Sequence, residues 1–108
     1  MAYRVYLTDD ASYDLEELIS FIESHDSPQK AQHLLDKIAD ILDSLAESPN
    51  RSAYPKELLA LGIKEYRQLF FKPYRMIYRV LGKKVYVMVI ADGRRDMGAL
   101  LQRRLLQA

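Results

Sequence analysis

The order of apolar and polar residues divides the chain into a helical first part and a strand-forming second part. Tyr3–Leu7 alternates in polarity, which predicts a short strand, and Thr8 then offers an N-cap for a helix. Ser27-Pro28 suits the start of a second helix, because Ser caps well and Pro fits the first helical position. Two apolar stripes at helical spacing predict an antiparallel helical hairpin: Ala11, Leu15, Leu18, Ile19 and Ile22, then Ala31, Leu34, Leu35, Ile38, Ile41, Leu42 and Leu45.

The stretch that organises the second part is 63–96, IKEYRQLFFKPYRMIYRVLGKKVYVMVIADGRRD. It contains three apolar runs, at 63–71, 74–81 and 85–91, rich in Val, Ile, Tyr and Phe. Pro73 interrupts the first pair and Gly82 the second, which predicts an antiparallel meander of three strands. Gly82 suits the first central position of a type II′ turn, where φ is positive.

The remaining segments complete a single α+β domain that spans residues 1–108. Residues 49–62 are irregular, with one turn of helix predicted at 56–61, and Asp96 can cap a final helix over 97–108. The predicted order is β-α-α-β-β-β-α, with the helices packed on one side of a mostly antiparallel sheet.

The alternation within the strands bears on function. Arg75 and Arg79 share one face of their strand, and Arg67 lies on the neighbouring strand. We therefore expect one sheet face to carry guanidinium groups from adjacent strands, with Arg94 and Arg95 following where the third strand ends. In that third strand, alternation places Val85, Val87 and Val89 together on one face. Guanidinium groups bind phosphates and carboxylates bidentately.

Charge and composition narrow the classes of function. Residues 1–63 hold five basic and twelve acidic residues, a net charge of −7, whereas residues 64–108 hold eleven and three, a net charge of +8. This asymmetry favours an acidic or polyanionic partner for the second half, or a simple mutual neutralisation of the two halves. The absence of cysteine excludes disulfides, and no apolar stretch reaches the length of a signal peptide core or a membrane span, so we expect a cytoplasmic protein.

Catalytic and metal-binding motifs are scarce. The two histidines, His25 and His33, lie outside the basic half, and no glycine-rich phosphate loop is present. We expect neither a metal nor a cofactor. Tyrosines lie beside the arginines of the meander, where they can stack on bases or, more ordinarily, pack within the sheet: Tyr66, Tyr74, Tyr78 and Tyr86.

Several of these elements together resemble the RelE/ParE superfamily of bacterial toxins, also known as plasmid stabilisation proteins. They are Tyr66-Arg67, the stretch Tyr74–Val80 (YRMIYRV), Gly82, and the GRRD sequence at 93–96, in that order. The resemblance covers nearly the whole chain and implies the toxin component of a type II toxin–antitoxin module, with a small, partly acidic antitoxin as its partner. The basic half and the groove beside the helical hairpin are the surfaces on which we expect that antitoxin to dock.

The superfamily divides by target, and the resemblance implies the ParE-like branch, which inhibits DNA gyrase by binding. The RelE-like branch cleaves mRNA on the ribosome and commonly uses a His or Tyr in its C-terminal tail. This chain has neither residue after Asp96, although Arg67, Arg75 and Arg94 could serve a ribonuclease as cations. A non-toxic binding domain of the same fold is a further alternative. The residues expected to contact a target or antitoxin are Arg67, Arg75, Tyr78, Arg79, Arg94, Arg95, Asp96, Arg103 and Arg104.

Overall fold

The elements follow one another in the order that the apolar pattern predicts. The computed structural model describes residues 2–107. The α+β class and the meander are confirmed, although the first strand of the meander begins at Arg67, four residues later than the apolar run. The elements are β1 (Arg4–Leu7), α1 (Asp9–His25), α2 (Pro28–Glu47), α3 (Lys56–Leu59), β2 (Arg67–Phe71), β3 (Tyr74–Leu81), β4 (Lys84–Asp92) and α4 (Met97–Leu101), followed by a π-helical turn at Gln102–Leu106.

The two long helices begin at the residues that the sequence marks as caps. The Thr8 hydroxyl accepts a hydrogen bond from the Ala11 N–H at 3.2 Å, and the Ser27 hydroxyl accepts one from the Lys30 N–H at 3.1 Å. The apolar stripes of α1 and α2 pack on one face of the sheet, which confirms the predicted hairpin layer. Within the described residues, no helix is long and apolar enough to cross a membrane.

The sheet has the strand order β1-β4-β3-β2. β1 runs parallel to β4, whereas β4, β3 and β2 are antiparallel neighbours. The turn between β3 and β4 has Gly82 at φ 61°, and no non-glycine residue among 2–107 has a positive φ, which agrees with the predicted type II′ turn. Pro73 occupies the turn between β2 and β3, as expected. One consequence matters for the site: among residues 2–107 the outer edge of β2 has no neighbouring strand, although the Gln68 N–H donates to the carbonyl oxygen of Ala53 at 2.9 Å.

A β-bulge at Met88 corrects the predicted faces of β4. Ile77 pairs with Val89 and Tyr78 pairs with Val87, so the intervening Met88 has no partner in β3. This extra residue reverses the alternation, since each residue after it points to the other face. Val87 therefore packs under the helical hairpin, whereas Val89 does not, contrary to the expectation from simple alternation.

Part of the second face of the sheet is also covered, so the expectation that the helices pack on one side is wrong for the short helices. α3 and α4 contribute to an apolar cluster with Ile77 of the outer face. This face is the one opposite to Tyr78, which packs under the hairpin. The predicted final helix is divided into α4 and the π-helical turn; its last residue, Ala108, lies outside the described residues. The outer cluster consists of Leu58, Tyr66, Ile77, Val89, Ala91, Met97, Leu100 and Leu101.

A candidate anion groove around Arg75

Among residues 2–107, Arg75 is the one charged residue of the core, with 3% of its surface exposed. It lies on β3 opposite Phe70 of β2, on the face covered by α3 and α4. Two of its nitrogens donate to the carboxylate of Glu57 in α3, at 2.7 and 2.8 Å, and its Nε donates to Gln68 Oε1 at 2.9 Å. A buried guanidinium is tolerated because its charge and its donors are satisfied in this way.

The ion pair fixes the protonation state of Glu57. Hydrogen bonding from Arg75, which outweighs the opposing effect of partial burial, lowers the pKa of Glu57 below its ordinary value. Glu57 is thus a carboxylate at neutral pH, already engaged by its partner. Neither Glu57 nor Gln68 was foreseen from sequence as an Arg75 partner. A signal existed, because Glu57 is the only acidic residue between Glu47 and Glu65.

Gly93 allows Arg75 to reach its partners. A Cβ atom added at Gly93 would lie 3.0 Å from both Cγ and Cδ of Arg75 and 3.2 Å from the carbonyl oxygen of Pro73. The glycine of the GRRD sequence is therefore required by the close approach of the Arg75 side chain.

An open groove of about 390 Å³, which we name the Arg75 groove, lies over the ion pair of Arg75 and Glu57. Lys56 and Arg95 are exposed at its rim, whereas Arg75 forms part of its floor. The groove therefore presents two free cations and one neutralised cation to solvent, an arrangement suited to a phosphate or carboxylate. Its lining residues are Lys56, Glu57, Gln68, Phe70, Arg75, Gly93, Arg95 and Met97.

Arg67 does not share this face, so the predicted surface of neighbouring guanidinium groups is wrong at that position. Arg67 pairs with Tyr78, and Phe70 pairs with Arg75, which places the two arginines on opposite sides of the sheet. The Arg67 guanidinium donates to the carbonyl oxygen of Ser52 at 2.7 Å and lies 4.6 Å from the ring centroid of Tyr54. Arg67 thereby holds the loop that precedes α3.

Tyr78 serves the same loop from within the core. It is fully buried, its hydroxyl donates to the carbonyl oxygen of Pro49 at 2.6 Å, and it also bonds the Ser52 hydroxyl. Burial raises the pKa of Tyr78, so its phenol stays protonated as a donor. In this conformation Tyr78 has no surface to offer a partner.

Two other predicted contact residues, Arg79 and Arg94, lie beside an aromatic ring and a carboxylate, respectively. Arg79 lies 5.8 Å from the ring centroid of Tyr66. Arg94 is exposed and bonds Asp92 at 2.9 Å, which lowers the Asp92 pKa.

The segment after Arg95 contains both residues that stabilise the fold and a residue that is exposed to solvent. Asp96 caps α4 by accepting from the Ala99 N–H at 3.1 Å, which confirms one of its two predicted uses. Arg103 is exposed. Arg104 instead bonds Asp14 at 2.9 and 3.0 Å.

A second and larger groove, about 770 Å³, runs between α2 and the outer edge of β2. Its floor is apolar, and its rim carries both acidic and basic side chains. We name it the α2–β2 groove. It is lined by Ile22, Asp26, Lys30, His33, Leu34, Asp36, Lys37, Asp40, Phe70, Phe71, Lys72 and Tyr74.

Within residues 2–107 no group of three or more His, Cys, Asp or Glu side chains is placed to hold a metal ion.

The arrangement of a helical hairpin, a meander and a C-terminal helix can be compared with known proteins. The family model for the ParE toxin of the type II toxin–antitoxin system parDE matches residues 5–97. The chain belongs to this family. It is thus a type II toxin of the ParE/RelE class, as the sequence resemblance implied. Among curated proteins, no match is found.

Solved structures agree with the fold of this ParE-family toxin. A chain of the chromosomal ParDE system from P. aeruginosa matches with a TM-score of 0.70 and 19% identity, covering 84% of this chain and 96% of that one. The RelBE2 toxin–antitoxin complex from Mycobacterium tuberculosis matches at 0.60 and 18%, covering 85% and 99%. A mutant of the E. coli toxin RelE in the free state matches at 0.54 and 18%, covering 97% and 100%.

Proposed function

We propose that this ParE-family toxin inhibits DNA gyrase by binding it, without a chemical step of its own, and that a cognate antitoxin neutralises it. The observation that carries the proposal is the state of Arg75 and Glu57. Cleavage of RNA requires a group that removes a proton from the 2′-hydroxyl and one that protonates the leaving oxygen. Of the residues that the structure describes, Glu57 is the only carboxylate lining the Arg75 groove, and its two oxygens are engaged by Arg75.

The groove's remaining polar side chains favour binding over proton transfer. Lys56 and Arg95 are exposed cations, and Gln68 has no acid–base chemistry. Such a groove can hold an anionic group of a target and contribute electrostatic steering toward a complex that contains DNA. We assign the target contacts to the exposed members of the predicted set, Arg94, Arg95 and Arg103, together with the half-buried Arg79.

The antitoxin is proposed to occupy the α2–β2 groove. Toxin–antitoxin complexes are among the structural neighbours. Beyond Gln68, whose N–H donates to the carbonyl oxygen of Ala53 at 2.9 Å, the outer edge of β2 can pair with an extended segment of a partner. The apolar floor offers pockets for the side chains of that segment. Lys30, Lys37 and Lys72 on the rim suit acidic residues of that segment. Docking there would place the antitoxin beside the Arg75 groove, because Phe70 lines both.

A supercoiling assay with the purified full-length chain tests the gyrase proposal. We expect inhibition of supercoiling and accumulation of cleaved plasmid. A double variant, Arg94→Gln with Arg95→Gln, is expected to need at least about ten-fold more protein for the same inhibition, since exposed charges mainly change association with the target. Lys37→Gln with Lys30→Gln is the control of equal charge change on the other side of the fold.

The ribonuclease alternative is tested with the same material. Primer extension on mRNA from expressing cells should show no new cuts within codons. Uninhibited supercoiling together with such cuts would replace gyrase inhibition by RelE-like cleavage. Uninhibited supercoiling and unimpaired growth on expression would instead indicate a binding domain without toxicity.

A further inference from the structure

The outer face of the sheet is covered only in part. α3 and α4 pack over Ile77, Val89 and Ala91, at the end of the sheet near the Arg75 groove. Toward the opposite end, where β4 precedes Met88, the outer cluster includes no β1 or β4 residue within the described part of the chain. The uncovered end is where β1 joins the sheet, beside β4.

Two tyrosines form the centre of this uncovered end. Tyr6 of β1 and Tyr86 of β4 are register partners, and their rings stack with centroids 5.6 Å apart and planes 22° apart. Tyr6 is 39% exposed and Tyr86 is half-buried. A stacked pair normally hides its aromatic faces in a core, whereas here one ring remains open to solvent.

Cations surround the pair on the same face. Arg4 precedes Tyr6 by two residues, and its register partner is Lys84. Arg79 is the β3 partner of Tyr86, and its position over the Tyr66 ring restrains its guanidinium. None of the residues that β1, β3 and β4 place on this face at this end is acidic. We call these five residues, Arg4, Tyr6, Arg79, Lys84 and Tyr86, the Tyr6–Tyr86 platform.

We propose that the Tyr6–Tyr86 platform binds single-stranded nucleic acid, with a base stacked on the open tyrosine ring and phosphates on the flanking cations. Aromatic rings on a sheet, bordered by Lys and Arg, are the combination that single-strand binders use. An acidic peptide would use the cations but leave the open ring without a matching partner. A second copy of this face would bring three positive charges against three. The inference shares only Arg79 with the gyrase proposal, because Arg4, Tyr6, Lys84 and Tyr86 are not among the residues assigned to gyrase.

Fluorescence anisotropy with the full-length chain tests the platform. The probes are labelled oligothymidylate and oligouridylate of about 15 nucleotides, within the range of known single-strand site sizes, and an abasic strand of equal length. We expect both base-containing strands to bind, with affinity that falls as salt rises from about 0.05 to 0.2 M. The abasic strand should bind at least about five-fold more weakly, since it retains phosphates but offers nothing to stack. A preference for one of the two base-containing strands would identify DNA or RNA as the source.

Matched variants locate the binding. Tyr6→Leu should weaken binding at least about five-fold, and Arg79→Gln should weaken it and reduce its salt dependence. Tyr13→Leu and Arg51→Gln, which remove an exposed tyrosine from α1 and an exposed arginine from the loop after α2, should have no effect; Tyr13 is 62% exposed.

Three results would overturn the proposal. One is the absence of binding at low salt by a chain whose circular dichroism shows it folded. Another is equal affinity for the abasic strand, or stronger binding of an oligoglutamate peptide, which would assign the surface to anions in general. The third is an equal loss of affinity in the Tyr13→Leu and Arg51→Gln controls.

Discussion

Asp14 of α1 and Arg104 of the C-terminal π-helical turn form an ion pair beside the bulge of β4. Arg104 donates two hydrogen bonds to the Asp14 carboxylate, at 2.9 and 3.0 Å, and a third to the carbonyl oxygen of Met88 at 3.0 Å. Asp14 also accepts from the N–H of Ile90 at 3.0 Å. β1 ends opposite Val87, so the main-chain groups of β4 after Val87 have no partner in β1. The side chains of Asp14 and Arg104 form hydrogen bonds with two of these groups instead. Arg104, expected from sequence to face a partner, is instead part of the fold.

Arg104→Gln is expected to lower the free energy of unfolding by about 2 kcal/mol, because it removes charge-assisted bonds and leaves a half-buried carboxylate without its partner. Urea denaturation followed by circular dichroism measures the change. Arg103→Gln is the matched control, since Arg103 is exposed and adjacent, and it should change stability by less than about 0.5 kcal/mol. Equal effects of the two variants would contradict the assignment.

Glu57→Gln should cost more, about 3 kcal/mol, since it leaves the Arg75 charge uncompensated in a site where the Arg75 side chain is 4% exposed. The same denaturation experiment measures it. Glu65→Gln, at an exposed carboxylate of the same part of the chain, is the control and should be near neutral. A loss below about 1 kcal/mol would show that water or Gln68 can replace Glu57.

The ion pair also predicts a pH dependence of stability. The pKa of Glu57 is lowered from 4.5 in the folded chain, so the folded state binds its proton less readily than the unfolded state does. The stabilisation is therefore fully present above pH 4.5 and is lost as pH falls through the lowered folded value. The urea concentration at the unfolding midpoint, measured as pH is lowered below 4.5, should fall less steeply in Glu57→Gln than in the wild type. Parallel curves would show that other carboxylates account for the acid sensitivity.

Gly93→Ala should lower stability by about 1–3 kcal/mol, because the added methyl group meets an Arg75 side chain that Glu57 and Gln68 hold in place. Gly98→Ala is the opposite case. Its methyl group would meet only Asp96 Oδ1, at 3.6 Å, and it lies in α4, so we expect a gain of roughly 0.5–1 kcal/mol. Thermal melts of the two variants should therefore shift in opposite directions. An unchanged or raised melting temperature for Gly93→Ala would mean that Arg75 can move aside.

The elements of this fold were predictable from sequence because their signals are local. The hairpin follows from apolar stripes and from the caps at Thr8 and Ser27, and the turn at Gly82 follows from its freedom of φ. Each signal needs only a few consecutive residues. The family resemblance rested on the same kind of local sequence and was confirmed.

The candidate site was predicted less well because it depends on register and on contacts between distant residues. Periodicity places Arg67 and Arg75 on different strands but does not say which residue pairs with which. One extra residue at Met88 reverses the faces of β4, and no apolar pattern marks it. The pairing of Arg75 with Glu57 joins residues 18 positions apart through the packing of α3. Arg75 was predicted to lie on a binding surface because it belongs to the basic half of the chain, whereas its burial gives it a structural role.

The α2–β2 groove yields the last prediction, on antitoxin binding. Phe70 lines the groove and is 59% exposed, and Phe21 on α1 is 60% exposed but is not among the groove residues. Phe70→Ala should weaken binding of the cognate antitoxin at least about ten-fold, or about 1.4 kcal/mol, because an aromatic anchor at an interface contributes disproportionately. Phe21→Ala removes the same exposed area and should leave the affinity unchanged. Isothermal titration calorimetry of the refolded full-length chain measures both. If Phe21→Ala weakens binding and Phe70→Ala does not, the antitoxin lies across the outer surface of the helical hairpin, and the edge of β2 remains free in the complex.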